Sequence, residues 1–343
     1  MTGTDRPVVV TGAAGFIGSH LARAFAAQGA RVVATDLATT LPDHVLAGLD
    51  DPRVEYVSGD LRDGSTLDAL ISTAGAPADV VHVAAILQFA EMAAALGQAP
   101  PTPVDALKVF DVNAMGSWRL CTEFATSSQL GRFVYVSTRS VYGGVIVDGS
   151  TIDETTPPSP VGIYGSSKAA AERGVLALRD VFDLDLAVAR VTGVYGPWQG
   201  PVSWIGKAVD GVLAGTGYTT PAGADDRYEF TYVKDTVRGL LALATASQLR
   251  HDIYHVSSGQ MHSLAEVAEA FHAADPDAVV EFGSGAQPGM RTRLPLSGER
   301  MRDELAFESG WSLDQAISDY LEIERSGDYG LEATRQPVGR AAR

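Results

Sequence analysis

The sequence predicts an α/β protein: a doubly wound parallel sheet covered by helices on both faces, with a smaller C-terminal lobe over the strand ends. Three observations predict it. The first half of the chain alternates short β-branched runs with alanine-rich stretches, the pattern of β-α units feeding a parallel sheet. A glycine-rich segment, Thr11-Gly12-Ala13-Ala14-Gly15-Phe16-Ile17-Gly18, directly follows the first apolar run. After Pro197 the alternation gives way to loops rich in Gly and Pro with short helices between them.

Taken in order, Val8-Val9-Val10 reads as the first strand, followed by a helix over 15–27. Strands are expected at 31–35, 54–57 and 79–83, each a short apolar run bounded by turn residues. A long helix is expected over 105–127, a strand over 132–137, a helix over 164–181 and a strand over 184–191. Residues 253–256 are the candidate last strand of the same sheet. Further helices are expected at 202–213, 235–246, 263–272 and 313–324, with 283–295 as a loop. The chain then divides into a sheet domain (1–197 plus 232–258), a lobe (198–231 plus 259–325) and a polar, aperiodic tail (326–343).

Composition narrows the partners. A formal charge of −16 argues against nucleic acid or an anionic membrane surface, both of which select basic proteins. It leaves room for an anionic metabolite held by a local arginine cluster. Cys121 is the single cysteine, so no intramolecular disulfide exists, and its context reads as a buried helix position. No apolar run approaches the ~18 residues of a membrane span, and no signal-peptide core precedes Val8. A cytoplasmic location is expected.

The glycine segment carries the first chemistry. Gly12 permits the tight turn, Gly15 lets the backbone approach a pyrophosphate, and Gly18 allows close helix–strand packing. The helix opened by Phe16 and Ile17 would offer its free amides to the anion. Asp36 ends the second strand, eighteen residues after Gly18, where a carboxylate accepts from an adenosine ribose. It would repel a 2′-phosphate, and Leu37 and Ala38 supply no arginine, so NAD is favoured over NADP. Asp60, in Gly59-Asp60-Leu61, either reaches an adenine amine or is a surface aspartate at a strand end.

Tyr164 and Lys168 carry the second. At four-residue spacing on a helix both project from one face. A nearby ammonium favours phenolate. A free tyrosine titrates near ~10, so proton transfer at neutrality needs a depression of about 3 units, roughly 4 kcal/mol.

These motifs, with Val134-Tyr135-Val136-Ser137-Thr138, resemble the extended short-chain dehydrogenase/reductase family, the group of sugar epimerases and dehydratases on a Rossmann-type fold. The resemblance extends through Val81-His82-Val83-Ala84-Ala85, Asp111-Val112-Asn113, Val141-Tyr142-Gly143, Val194-Tyr195-Gly196-Pro197 and Phe230-Thr231-Tyr232-Val233-Lys234-Asp235. It implies that Thr138 holds the substrate oxygen, with Ser137 the neighbouring candidate, since a strand presents only one of them to the substrate. It implies that Tyr164 is the general acid/base and that Lys168 also holds the nicotinamide ribose. Ala84 would lie beside the cofactor, and His82 would pack beside its loop. Asn113 supports this geometry or helix packing alone. Related folds pair the helices expected at 105–127 and 164–181 across a two-fold axis, so a homodimer is expected.

The branch of the family is read from departures. Dehydratases carry Thr-Asp-Glu where this chain has Thr138-Arg139-Ser140, so dehydration is not expected. Nucleotide-sugar epimerases carry Asn, Arg and Arg where this chain has Gly193, Tyr228 and Gln287, which predicts weak binding of UDP and UDP-glucose. Arg139, Arg190 and Arg291 are the candidate substrate-binding cations, and Arg227, Arg291 and Arg293 are possible substitutes for the missing arginines. Arg190 has an internal salt bridge as its other reading. The leading expectation is an NAD-dependent dehydrogenase or epimerase acting on a secondary alcohol of a sugar or sugar acid without a nucleotide. A UDP-sugar 4-epimerase is the alternative, and a non-catalytic NAD-binding redox sensor a lesser one.

Overall fold

The computed structural model describes residues 6–42, 45, 49–75, 77–87, 102–143, 151–200, 203–287 and 293–328. In chain order the first elements are β1 (Val8–Thr11), α1 (Phe16–Ala27), β2 (Val32–Asp36), β3 (Val54–Ser58), α2 (Gly64–Ala74) and β4 (Ala78–His82). Then come α3 (Pro103–Phe110), a π-helical segment (Asp111–Gly116), α4 (Ser117–Thr126), β5 (Leu130–Thr138), a 3-10 turn (Arg139–Tyr142), α5 (Gly162–Phe182) and β6 (Leu186–Val191). Next are β7 (Gly193–Tyr195), α6 (Trp204–Leu213), β8 (Tyr218–Thr220), β9 (Arg227–Tyr232), α7 (Val233–Thr245) and β10 (Ile253–Val256). The last are β11 (Met261–Ser263), α8 (Leu264–Ala274), β12 (Val280–Phe282), α9 (Glu299–Leu305) and α10 (Leu313–Ser326).

Seven parallel strands form the main sheet in the order β10-β6-β5-β4-β1-β2-β3. Its inner strands are buried and largely apolar because both faces are covered, while edge strand β3 is only partly buried. Within β1, Val8 and Val10 join the core on the α1 and α7 side, while Val9 joins the core on the α2, α4 and α5 side. The period of two along a strand produces this split. All seven expected strands of this sheet are present, with bounds shifted by a residue or two.

Three differences stand out. Helix α2 was not expected; its run Gly64-Ser65-Thr66 looks like a loop, yet Leu67, Leu70 and Ala74 bury one face. The helix expected over 105–127 begins earlier, where Thr102 and Asp105 form a reciprocal cap with Pro103 behind them, and its middle widens into the π-helical segment. The lobe contains two small sheets that were not expected, β11-β9-β7 and β12-β8. Four of their five strands have three residues and β9 has six, and their pairing depends on distant partners.

Sheet order places the site. β1 and β4 are adjacent, as are β5 and β6, so the glycine loop after β1 and the hydroxyl at the end of β5 open on the same strand-end side. Open α/β sheets bind ligands there.

Candidate active site

The loop between β1 and α1 is a cradle that side chains would fill. Gly12 has φ +70°, and a Cβ on it would meet the Ala84 backbone at 2.8 Å. A Cβ on Gly18 would sit 2.0 Å from Gly12 O. Gly15 starts α1 with no side chain capping the first-turn amides of Phe16, Ile17 and Gly18, which leaves them for an anion. Asp36 closes the rim: Oδ2 accepts from Ala14 N at 3.1 Å and Oδ1 from Ala38 N at 3.3 Å. These residues fit a dinucleotide. Asp60 is bound by Arg62, with Nη2 at 2.6 Å, and Arg62 also donates to Asp111 at 2.7 Å. Leu61 packs partly buried against the core of that side.

A buried polar net ties this loop to the catalytic helix. Thr11 Oγ1 accepts from Val83 N and Ala84 N, each at 3.2 Å, and lies 2.7 Å from His82 Nδ1. His82 Nε2 meets Ser117 Oγ at 2.8 Å, and Ser117 Oγ donates to Asn113 O at 2.7 Å. That chain of donors puts the His82 proton on Nε2. Burial, aided by Lys168, pushes the imidazole down to about 3, so it stays neutral and structural. Asn113, in the π-helical segment, clamps Ile86 through both backbone groups (2.8 and 3.0 Å) and donates to Ser167 Oγ at 3.0 Å. Ser167 Oγ in turn donates to Tyr164 O at 2.8 Å. Asn113 therefore positions α5 and the loop after β4 together.

Tyr164 and Thr138 meet at the centre, sharing a side-chain hydrogen bond. Thr138 Oγ1 also accepts from Ser140 N at 3.1 Å. Ser137 points to the other face of β5, its buried hydroxyl without a partner among the described residues. Lys168 is buried: Nζ donates to Val136 O at 2.6 Å and stands 4.2 Å over the Tyr135 ring. Burial pushes the Tyr164 phenol up to about 12, opposed by the Thr138 hydrogen bond. Burial pushes the Lys168 ammonium down to about 7, opposed by Glu172. In the protein without cofactor the opposition to burial comes from Thr138; the lowering of the phenol expected from Lys168 includes the charge of an oxidised nicotinamide ring.

The arginines depart from expectation. Arg190 takes the internal reading: its guanidinium is buried, bound by both Glu172 oxygens, and donates to the Tyr142 hydroxyl. With those donors taken it is an internal partner. Arg139 is likewise committed, to Glu229 at 3.3 Å and to Leu294 O at 2.7 Å. Glu229 accepts further from Leu296 N and Gly259 N at 3.1 Å each, and from Ser257 Oγ. Sequence reasoning missed Glu229 and Glu172; Glu172 continues the four-residue spacing of Tyr164 and Lys168. Arg227 does not swing inward, since it donates to Met261 O at 2.7 Å and pairs with Glu266. Tyr228 packs against Trp204 with ring centroids 4.5 Å apart and planes tilted by 43°. Arg291 lies outside the described residues.

A glycine cradle and a Thr-Tyr-Lys centre opening on one side of a parallel sheet define a dinucleotide-dependent oxidoreductase. The model of the NAD dependent epimerase/dehydratase family matches residues 8–257, and the chain belongs to that family, whose cofactor is NAD. It is 29% identical to a dTDP-glucose 4,6-dehydratase of Streptomyces niveus over 96% of each chain. It is 31% identical to one of Streptomyces griseus, over 91% of this chain and 92% of that one. In structure it is similar to UDP-glucose 4-epimerase of Thermus thermophilus in complex with NAD, with 26% identity and a TM-score of 0.77 over 94% of this chain and 100% of the other.

Two expectations are corrected. Dehydration was set aside on the tripeptide Thr138-Arg139-Ser140, but relatives matching 96% and 91% of the chain are named dehydratases. A tripeptide does not show carboxylates brought from other strands, and Glu229 of β9 lies against Arg139. The preference for a sugar without a nucleotide is also displaced, since these relatives are named for nucleotide sugars.

Proposed function

We propose that this enzyme oxidises a secondary hydroxyl on the sugar ring of a nucleoside-diphosphate sugar and returns the hydride within the same turnover. The meeting of Thr138 with Tyr164 beside the glycine cradle carries the proposal, and the nucleotide-sugar relatives support the substrate class. Bound NAD supplies the hydride acceptor and, in its oxidised form, a positive charge. Thr138 Oγ1 holds the sugar oxygen, and Tyr164 Oη takes that oxygen's proton and later gives it back. Lys168, fixed by Val136 O, contributes its ammonium to the same region. The test is to supply dTDP-glucose and UDP-glucose and follow both sugar product and absorbance at the NADH band. A changed sugar without accumulating NADH supports the proposal; stoichiometric NADH release refutes the return step.

The outer faces of α3 and α5 expose Val104 (73%), Leu107 (72%), Val181 (73%) and Phe182 (61%). We assign them to a second copy of this chain, a two-fold pairing that would cover them.

A further inference from the structure

Lys168 occupies a place that disfavours its charge, buried against the Tyr135 ring. One turn along the same face of α5 lies Glu172, also buried, at 3% exposure. Its carboxylate is gripped by Arg190, with Nε at 3.0 and 3.2 Å and Nη2 at 2.6 Å. Arg190 reaches on to the Tyr142 hydroxyl and lies 4.8 Å over that ring. Tyr142 Oη meets His255 Nε2 at 2.9 Å, and His255 Nδ1 lies 3.2 Å from Ser297 O. The ring therefore donates from Nδ1 and accepts from Tyr142.

The groups around Lys168 come from four elements. His82 of β4 is neutral, Tyr135 of β5 offers its ring face, Tyr164 shares α5, and Arg190 of β6 lies beyond Glu172. Among them Glu172 is the anion. Arg190 holds it in place through a two-pronged, charge-assisted contact.

We propose that Glu172 is a positioning residue for proton transfer, the countercharge that lets buried Lys168 remain an ammonium, with Arg190 aiming it. The proposal rests on the reading above that Lys168 serves Tyr164.

The chain has four lysines, Lys108, Lys168, Lys207 and Lys234, so the side-chain resonance of Lys168 can be followed by NMR with ε-carbon-labelled lysine and assigned with Lys168→Met. Burial pushes its ammonium down to about 7, and the midpoint observed in the wild type should fall by at least about one further pH unit in Glu172→Gln. On the NAD-loaded enzyme the alkaline limb of kcat should move down by the same amount, and in a Lys168→Met background Glu172→Gln should change neither kcat nor KM. An unmoved Lys168 midpoint overturns the proposal, as does a moved midpoint with the kcat limb in place. An equal loss in the Lys168→Met background also overturns it. Should Glu172→Gln not fold, Glu172→Asp keeps the charge but shortens the side chain by one carbon, and it should lower the Lys168 midpoint by a smaller amount; an unmoved midpoint there overturns the proposal. If no nucleotide sugar is converted, the proposed function fails while the lysine titration still decides this inference.

Discussion

Thr138 and Tyr164 share a hydrogen bond that joins the end of β5 to the first turn of α5. Two elements far apart in the chain are thereby brought to one point, next to the loop that α1 opens. The hydrogen bond stabilises the ionised phenol against the burial that opposes it. Thr138→Val, which keeps the shape and removes the hydroxyl, should lower kcat by roughly a hundredfold with little change in NAD affinity. Steady-state kinetics and NAD titration check this; a kcat within a factor of about three of wild type would contradict it.

Asp36 sets the choice between the two nicotinamide cofactors. Its carboxylate is fixed over the glycine loop by Ala14 N and Ala38 N, so a 2′-phosphate would meet a charge that does not move aside. NAD should support the reaction at least about a hundredfold better than NADP, and Asp36→Ala should narrow the gap to within about tenfold. Equal binding of the two cofactors by the wild type would remove this role.

Two buried imidazoles make stability depend on pH. Burial pushes both His82 and His255 from 6.5 down to about 3. Between those values the unfolded chain binds protons that the folded protein refuses. Stability is thus complete above pH ~6.5 and is lost as pH falls toward ~3, by about 1.4 kcal/mol per pH unit for each ring. Melting temperature should drop between pH 7 and pH 5, and His255→Gln should make that drop shallower. A melting temperature flat across this range would contradict the assignment.

The apolar faces of α3 and α5 should be covered by a second copy. Light scattering at micromolar concentration should give twice the chain mass, and Leu107→Glu combined with Phe182→Glu should give a monomer that retains its helical circular dichroism. A wild-type monomer would refute the pairing.

What the sequence showed and what it hid follow from the range of the interactions. The strands of the main sheet were legible because burial on both faces leaves continuous apolar runs such as Val8-Val9-Val10. The glycine loop and the Tyr164/Lys168 pair were legible because each is a local motif. Arg139 and Arg190 were misjudged because a sequence displays a charge without its partner. Glu172 lies eighteen residues from Arg190, and Glu229 ninety from Arg139. The π-helical segment that aims Asn113 has no compositional sign, and β7, β8, β11 and β12 are too short to show a period.

The most direct measurement pairs Tyr164→Phe with the wild type, both NAD-loaded, on dTDP-glucose and UDP-glucose, with products identified by NMR. The ring is kept and the proton carrier removed, so NAD affinity should be unchanged. Wild type should convert at least one of the two sugars without accumulating NADH, and the variant should be slower by about a thousandfold or more. A variant retaining more than about a tenth of the wild-type rate would contradict the account, as would a wild type that leaves both nucleotide sugars untouched while oxidising a free sugar with release of NADH.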